Sequence, residues 1–167
     1  NIDDVHSLAV KDPGQLAYVT QTTLSVDDAS KIVKALVARY PKIKVPEKED
    51  ICYATQNRQD AVKSLAEHCD LIIVVGSSNS SNSNRLREVA ETKGVRAFLV
   101  DNEGELEPDW LNGVARVGVT AGASAPEVLV SAVVERLKKL GVAVVKESSG
   151  IQEKVVFFVP GALKRKA

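Results

Sequence analysis

The sequence is poor in several residue types, and each scarcity excludes something. Its 167 residues include no methionine, two cysteines and two histidines, and aromatic residues make up 4%. Two cysteines cannot supply the framework of a disulfide-rich secreted scaffold. So few rings leave an aliphatic core of Val, Ile, Leu and Ala within a hydrophobic content of 44%. An excess of either charge is also missing. The 22 basic and 22 acidic side chains cancel, so no global field draws the chain to nucleic acid or to a membrane surface. No apolar run approaches the roughly 20 residues that cross a bilayer, and DLIIVVG at 70–76 is only strand-sized. The opening NIDDVHSLAV has neither a basic n-region nor an apolar h-segment, so no secretory signal is visible. Asn79-Ser80-Ser81 is accordingly set aside as a glycosylation acceptor. The expectation is a soluble cytoplasmic protein. A complete translation product begins with methionine, so a chain with Asn1 at its start is expected to be a piece of something longer.

What is present is an alternation of strand-length apolar bursts with stretches of helical spacing. LAYVT (16–20) reads as a strand, followed by an amphipathic helix from Val26 to Tyr40 with Ser25 as N-cap and Asp27 and Asp28 in its first turn. Residues 41–50, with two prolines, read as a linker. A short strand at Ile51–Ala54 is expected to lead into a helix from about Gln56 to His68, carrying Ala61, Val62, Leu65 and Ala66. Strand 71–75, helix 83–93 ended by Gly94, strand 95–100, a turn or short helix around Trp110, strand 115–120 and helix 126–140 ended by Gly141 complete the pattern. Continuous apolar strands between helices predict an α/β fold, a parallel sheet flanked by helices. Residues 49–140 form one α/β unit on this reading, and 1–48 look like the remnant of a preceding one. In the tail, 141–167, AVV (143–145) and VVFFV (155–159) read as strands lacking a partner, and the lysine excess is taken as a solvated end.

One local device recurs. Strands run into loops of hydroxyl, amide or glycine residues that then open helices: TQTTLS (20–25), CYATQN (52–57), GSSNSSNSN (76–84) and TAGASAP (120–126). In a parallel sheet such loops gather at the carboxyl ends of the strands, and the helices aim their free N–H groups at that crevice. Any one of these loops alone could be simple helix capping. Nine residues with five serines and three asparagines at 76–84 exceed what capping requires. There is no GxxxxGK[ST] loop and no GxGxxG fingerprint, so the anion expected here, a phosphate or diphosphate, is held by neutral donors.

Cys52 lies among these loops, at the end of the expected strand, and from position alone it is a nucleophile, a metal ligand or a plain small residue. Cys69, at the other end of the same helix, is about 20 Å away along the axis and reads as a structural thiol that cannot bridge to Cys52. His6 and His68 lie outside all the loops, so a nucleophilic Cys52 would have no histidine to activate it.

TQTTLS, ICYATQNRQ (51–59), VVGSSNSSNSNRL (74–86) and GVTAGASAP (118–126), in this order and spacing, resemble the second half of the LytB/IspH family, the 4-hydroxy-3-methylbut-2-enyl diphosphate reductases. The likeness runs along essentially the whole chain, and SSNSNRL and TAGASAP are its most specific strings. It implies a three-domain enzyme in which three cysteines, one per α/β domain, hold a [4Fe–4S] cluster. That enzyme reductively removes an allylic hydroxyl to give isopentenyl and dimethylallyl diphosphate, the last step of the non-mevalonate route, with ferredoxin or flavodoxin as electron donor. On this resemblance Cys52 is a metal ligand, and Ser80, Ser81, Asn82 and Ser124 contact the substrate diphosphate. Thr22 stands beside the substrate alcohol and its proton relay, and Thr55 is a donor near the cluster. The family's other two cysteine ligands, its substrate histidines and its proton-relaying glutamate belong to a first half that this chain lacks. The tail would pack on that missing first domain. The expectation is therefore the C-terminal part of such a reductase, unable to retain the cluster or to turn over alone. The competing reading is a non-catalytic phosphate-binding α/β module.

Overall fold

The computed structural model describes residues 1–46 and 50–146. Its organising element is Leu71–Val75 (β1), whose LIIVV side chains are all completely buried. A strand can be apolar on both faces only if both are covered, and β1 is the central strand of a three-stranded parallel sheet. Arg96–Val100 (β2) pairs on one side and Val117–Ala121 (β3) on the other, with Ile73 opposite Phe98 and Val119. Alternation along β1 divides the core. Ile72 and Val74 point to one face and pack with Val62, Leu86, Val89 and Ala90. These come from the helices Tyr53–Ala66 (α3) and Ser81–Thr92 (α4). Leu71, Ile73 and Val75 point to the other face, against Val133 and Leu137 of the helix Glu127–Lys139 (α5) and against Leu106. Trp110 lies in a short 3-10 turn at Pro108–Leu111 and stacks on Phe98 with ring centroids 3.9 Å apart.

Before this unit come the short helix Ile2–Ser7 (α1) and the helix Val26–Arg39 (α2). The Arg39 guanidinium donates to the carbonyl oxygens of Val5, His6 and Leu8, placing a cation at the C-terminus of α1 where it complements the helix dipole. Tyr40 adds a 2.8 Å hydrogen bond from its hydroxyl to the Leu8 carbonyl. Six residues are too few to show a helical period, which is why α1 is not visible in the sequence. Ser25 caps α2 as expected, accepting from the Asp28 N–H at 3.2 Å.

Three expected strands are corrected. Residues 16–20 form an isolated parallel bridge, Ala17 with Lys44, and no strand. Among the described residues the bridge is isolated, with no paired strand on either side of it, and Val19 is 86% exposed. Residues 51–54 are not a strand either. Cys52 is the extended N-cap of α3, and its carbonyl already accepts from the N–H groups of Thr55 and Gln56. Residues 143–145 are irregular, with Val144 and Val145 exposed. The expected strand 155–159 lies outside the described residues. The long loop is also shorter than expected, because α4 begins at Ser81 and not at residue 83. Ser and Asn are weak helix formers, so their density disguised the first turn. Among the described residues no helix is long and apolar enough to cross a membrane.

Candidate functional site

The strand order β2-β1-β3 creates a switch point. After β1 the chain enters α4 on one face, and after the neighbouring β3 it enters α5 on the opposite face. The two loops diverge and leave a crevice outside the carboxyl ends of β1 and β3, the usual ligand position in such sheets.

The crevice floor is tightly built. Gly76 N–H donates to the Val100 carbonyl and Gly122 N–H to the Val75 carbonyl, each at 2.9 Å, so both loops stay stitched to the sheet beyond the last paired residue. The Ser83 hydroxyl fits between the two glycines, and a Cβ built on either would lie 2.3 Å from Ser83 Oγ. This close approach lets the first turn of α4 rest on the sheet end. Ser80 caps that turn by accepting from the Ser83 N–H at 3.3 Å, and Asn84 Nδ2 donates to the Ser78 and Ser80 carbonyls. Between them stands Asn82, 7% exposed, whose Oδ1 and Nδ2 are both buried without a hydrogen-bond partner. Asn82 Nδ2 lies 3.8 Å from the position of a Cβ on Gly122, which brings it against the TAGASAP loop that carries Ser124. Ser81 and Ser124 are exposed and Ser80 is half-buried. The helix α5 has Pro126 at its N-cap and no side-chain cap.

A second pair of loops is welded separately. The segment 20–26 runs alongside the start of α3: Thr20 N–H donates to the Asp50 carboxylate at 2.8 Å, and Cys52 N–H donates to the Thr22 carbonyl at 3.3 Å. Farther along, Gln59 Oε1 accepts from Val26 N–H at 3.0 Å while its Nε2 donates to the Leu24 carbonyl at 2.8 Å. Thr22 and Cys52 are thus brought side by side, both exposed, with Thr55 buried one turn inward. Sequence reasoning missed Asp50 and Gln59. A signal for Gln59 existed: the buried residues of α3 are Thr55, Gln59 and Val62, so a glutamine occupies an apolar helical stripe.

The electrostatics are local. Asp27, in the first turn of α2, accepts from Lys63 of α3 at 2.9 Å, and that hydrogen bond holds its carboxyl below the ordinary value. Burial draws Lys63 down, but Asp27 and Asp60 outweigh it and its ammonium is held above its ordinary value. Burial pushes the Cys69 thiol up, with Arg116 opposing and Asp70 adding to the rise. Both cysteines are free thiols, with the length of α3 between them. Cys52, as an N-cap without a side-chain capping bond, has its sulfur uncommitted. No set of three or more His, Cys, Asp or Glu converges on a metal position among the described residues. Cys52 is thus a single exposed thiol among the described residues, fewer than the three or four ligands that a cluster needs. A separate recess of about 220 Å³ between α2 and α4, lined by Asp27, Lys31, Arg85, Glu88 and neighbours, contains none of the expected site residues.

Comparison with known proteins extends these observations. A family model described as LytB protein matches residues 1–159. A 4-hydroxy-3-methylbut-2-enyl diphosphate reductase of Bordetella pertussis is 62% identical over 165 residues, covering 99% of this chain and 51% of that protein. A protein of the same name from Aromatoleum aromaticum is 64% identical over 163 residues, covering 98% and 52%. The chain thus spans about half the length of these relatives. Among solved structures, the E-1-hydroxy-2-methyl-but-2-enyl-4-diphosphate reductase of Plasmodium falciparum superposes with a TM-score of 0.77 at 39% identity, over 83% of this chain and 43% of that one. Matched along nearly all its length and folded like a solved relative, this chain belongs to the LytB protein family.

Proposed function

We propose that this chain is the C-terminal part of a 4-hydroxy-3-methylbut-2-enyl diphosphate reductase, with residues 1–48 a remnant of a middle domain, 49–140 the third domain and 141–167 a tail. The observation that carries this reading is Asn82. A buried amide without partners costs about 1–3 kcal/mol, and a ligand that accepts from its Nδ2 removes the donor's part of that cost. A diphosphate fits, because its oxygens accept from Asn82 Nδ2, from the hydroxyls of Ser80, Ser81 and Ser124 and from free N–H groups at the starts of α4 and α5. No lysine or arginine is required, in keeping with neutral donors in these loops.

Thr22 and Cys52 take the other end of the substrate. Cys52 supplies one thiolate to the cluster, Thr22 offers its hydroxyl to the departing alcohol and the protons it needs, and Thr55 donates beside the thiolate. When bound, a [4Fe–4S] cluster supplies the two electrons that, with two protons, convert the allylic alcohol to alkene and water. The remaining ligands and proton donors come from the other half of the protein. A ferredoxin or flavodoxin delivers the electrons, in the cytoplasm. The chain alone binds diphosphate and does not turn over.

Calorimetry with inorganic pyrophosphate tests the diphosphate site. Binding that falls at least about tenfold in both Ser80→Ala and Asn82→Ala supports it, and binding unaltered by either removes it. Anaerobic reconstitution with iron and sulfide tests the remainder. About four irons bound stably per chain would contradict the assignment of Cys52 as one ligand of a shared set.

A further inference from the structure

We propose that Gln59 is a positioning residue that sets the register of Thr22 against Cys52, and this rests on the reading that those two residues serve the reaction. Gln59 is completely buried and touches neither the Thr22 nor the Cys52 side chain through any of its described hydrogen bonds. It stands seven residues after Cys52, about two helical turns, so both lie on the face of α3 along which segment 20–26 runs. The attachments keep a single direction: Thr20 to Asp50, Thr22 to Cys52, Leu24 and Val26 to Gln59.

Of these attachments the Gln59 clamp is the one made by a completely buried side chain; Asp50 also takes two bonds from Thr20, one of them long, from a half-buried position. The Thr22–Cys52 bond is long, and both residues are exposed. Val26 N–H belongs to the first turn of α2, where a backbone donor has no partner within its own helix. Leu24 C=O and Val26 N–H flank the N-cap Ser25, so one side chain that accepts from one and donates to the other fixes both where the loop ends and where α2 begins. A primary amide can do both at once; a carboxylate can only accept. Sliding the segment by one residue would break both bonds and carry Thr22 away from Cys52.

Amide hydrogen exchange on this chain, followed by NMR, tests the coupling in Gln59→Leu and Gln59→Glu. In Gln59→Leu, protection at Val26 and Cys52 is expected to fall at least about tenfold while Ile73 in β1 keeps its protection. In Gln59→Glu, protection relative to the parent chain is expected to recover at acidic pH, where the carboxylic acid donates to the Leu24 carbonyl, and to be lost again at neutral pH. This pH dependence separates a hydrogen-bonding clamp from simple packing. Unchanged Cys52 protection in Gln59→Leu, or a pH-independent Gln59→Glu, overturns the coupling. In the complete enzyme, Gln59→Leu is expected to lower kcat about tenfold with KM altered less than about twofold, because the diphosphate donors lie on other loops. Coupling without an effect on kcat overturns the proposal through the functional reading it rests on.

Discussion

The hydroxyl of Ser83 occupies the space that a side chain on Gly122 would need: a Cβ there would lie 2.3 Å from Ser83 Oγ but 3.5 Å from Ser83 Cβ. Gly76 makes the same demand from the other side, with a difference. Its Cβ would also meet Ser83 Cβ at 3.0 Å, and its φ of +158° is one that residues with a side chain rarely adopt. Overpacking of this kind costs about 1–3 kcal/mol. Gly122→Ala should therefore destabilise the chain by that amount, and Ser83→Ala introduced with it should restore most of the loss. Gly76→Ala should not be rescued by Ser83→Ala. Urea denaturation of the single and double variants checks this, and equal rescue at both glycines would contradict the geometry.

Asn82 predicts an opposition between stability and binding. Its amide atoms are buried without partners in the ligand-free chain, and alanine is the better helix former in the first turn of α4. Asn82→Ala should leave thermal stability unchanged or raise it, while weakening pyrophosphate binding. Thermal unfolding with and without pyrophosphate reads both effects at once. A loss of stability above about 1 kcal/mol in the absence of ligand would show that the amide is satisfied by the protein itself.

How far the sequence could reveal these features depended on whether the signal was local. The strand LIIVV and the helices packed on it were legible because burial on both faces leaves an unbroken apolar run. LAYVT and ICYA look just as strand-like in composition, yet strand formation depends on a neighbouring strand to pair with, and composition does not record one. The loop 76–84 stood out because nine residues with five serines and three asparagines exceed what capping requires, whereas Ser124 was singled out by the family resemblance alone. Gln59 and Asp50 were not legible, because their partners are backbone groups 35 and 30 residues away. Only folding brings such a pair together.

The pair Asp27–Lys63 ties the start of α2 to α3 and should leave a pH signature. Asp27 has its pKa lowered from 3.8, so its contribution is present above that value and is lost as pH falls through the lower folded one. Lys63 has its pKa raised from 10.5, so its contribution is present below that value and is lost as pH rises through the higher folded one. Lys63→Met should thus lower stability by about 0.2–1 kcal/mol at neutral pH, the range for partly exposed pairs. The difference from the parent chain should close as pH falls through the lowered folded value of Asp27 and its carboxyl is protonated, and should shrink in high salt. Urea titrations at pH 7 and at acidic pH would show it, and a gap that persists in acid would mean that the lysine acts through packing.

The two thiols should separate cleanly toward an alkylating reagent. Cys52 is exposed at an N-cap with its sulfur free of any capping bond. Cys69 is half-buried, packed so closely on β3 that a Cβ on Gly118 would lie 3.1 Å from its sulfur, and burial holds its thiol protonated to higher pH. Since the thiolate is the reacting form, access and ionisation both slow Cys69. Iodoacetamide at mildly alkaline pH should give a single adduct at Cys52, and the Cys52→Ser chain should react at least about tenfold more slowly until it is unfolded in urea. Peptide mapping of the adduct decides the matter. First modification at Cys69 would mean that the α3–β3 packing opens readily, and that Cys52 is less accessible than a metal-ligating thiol at this site has to be.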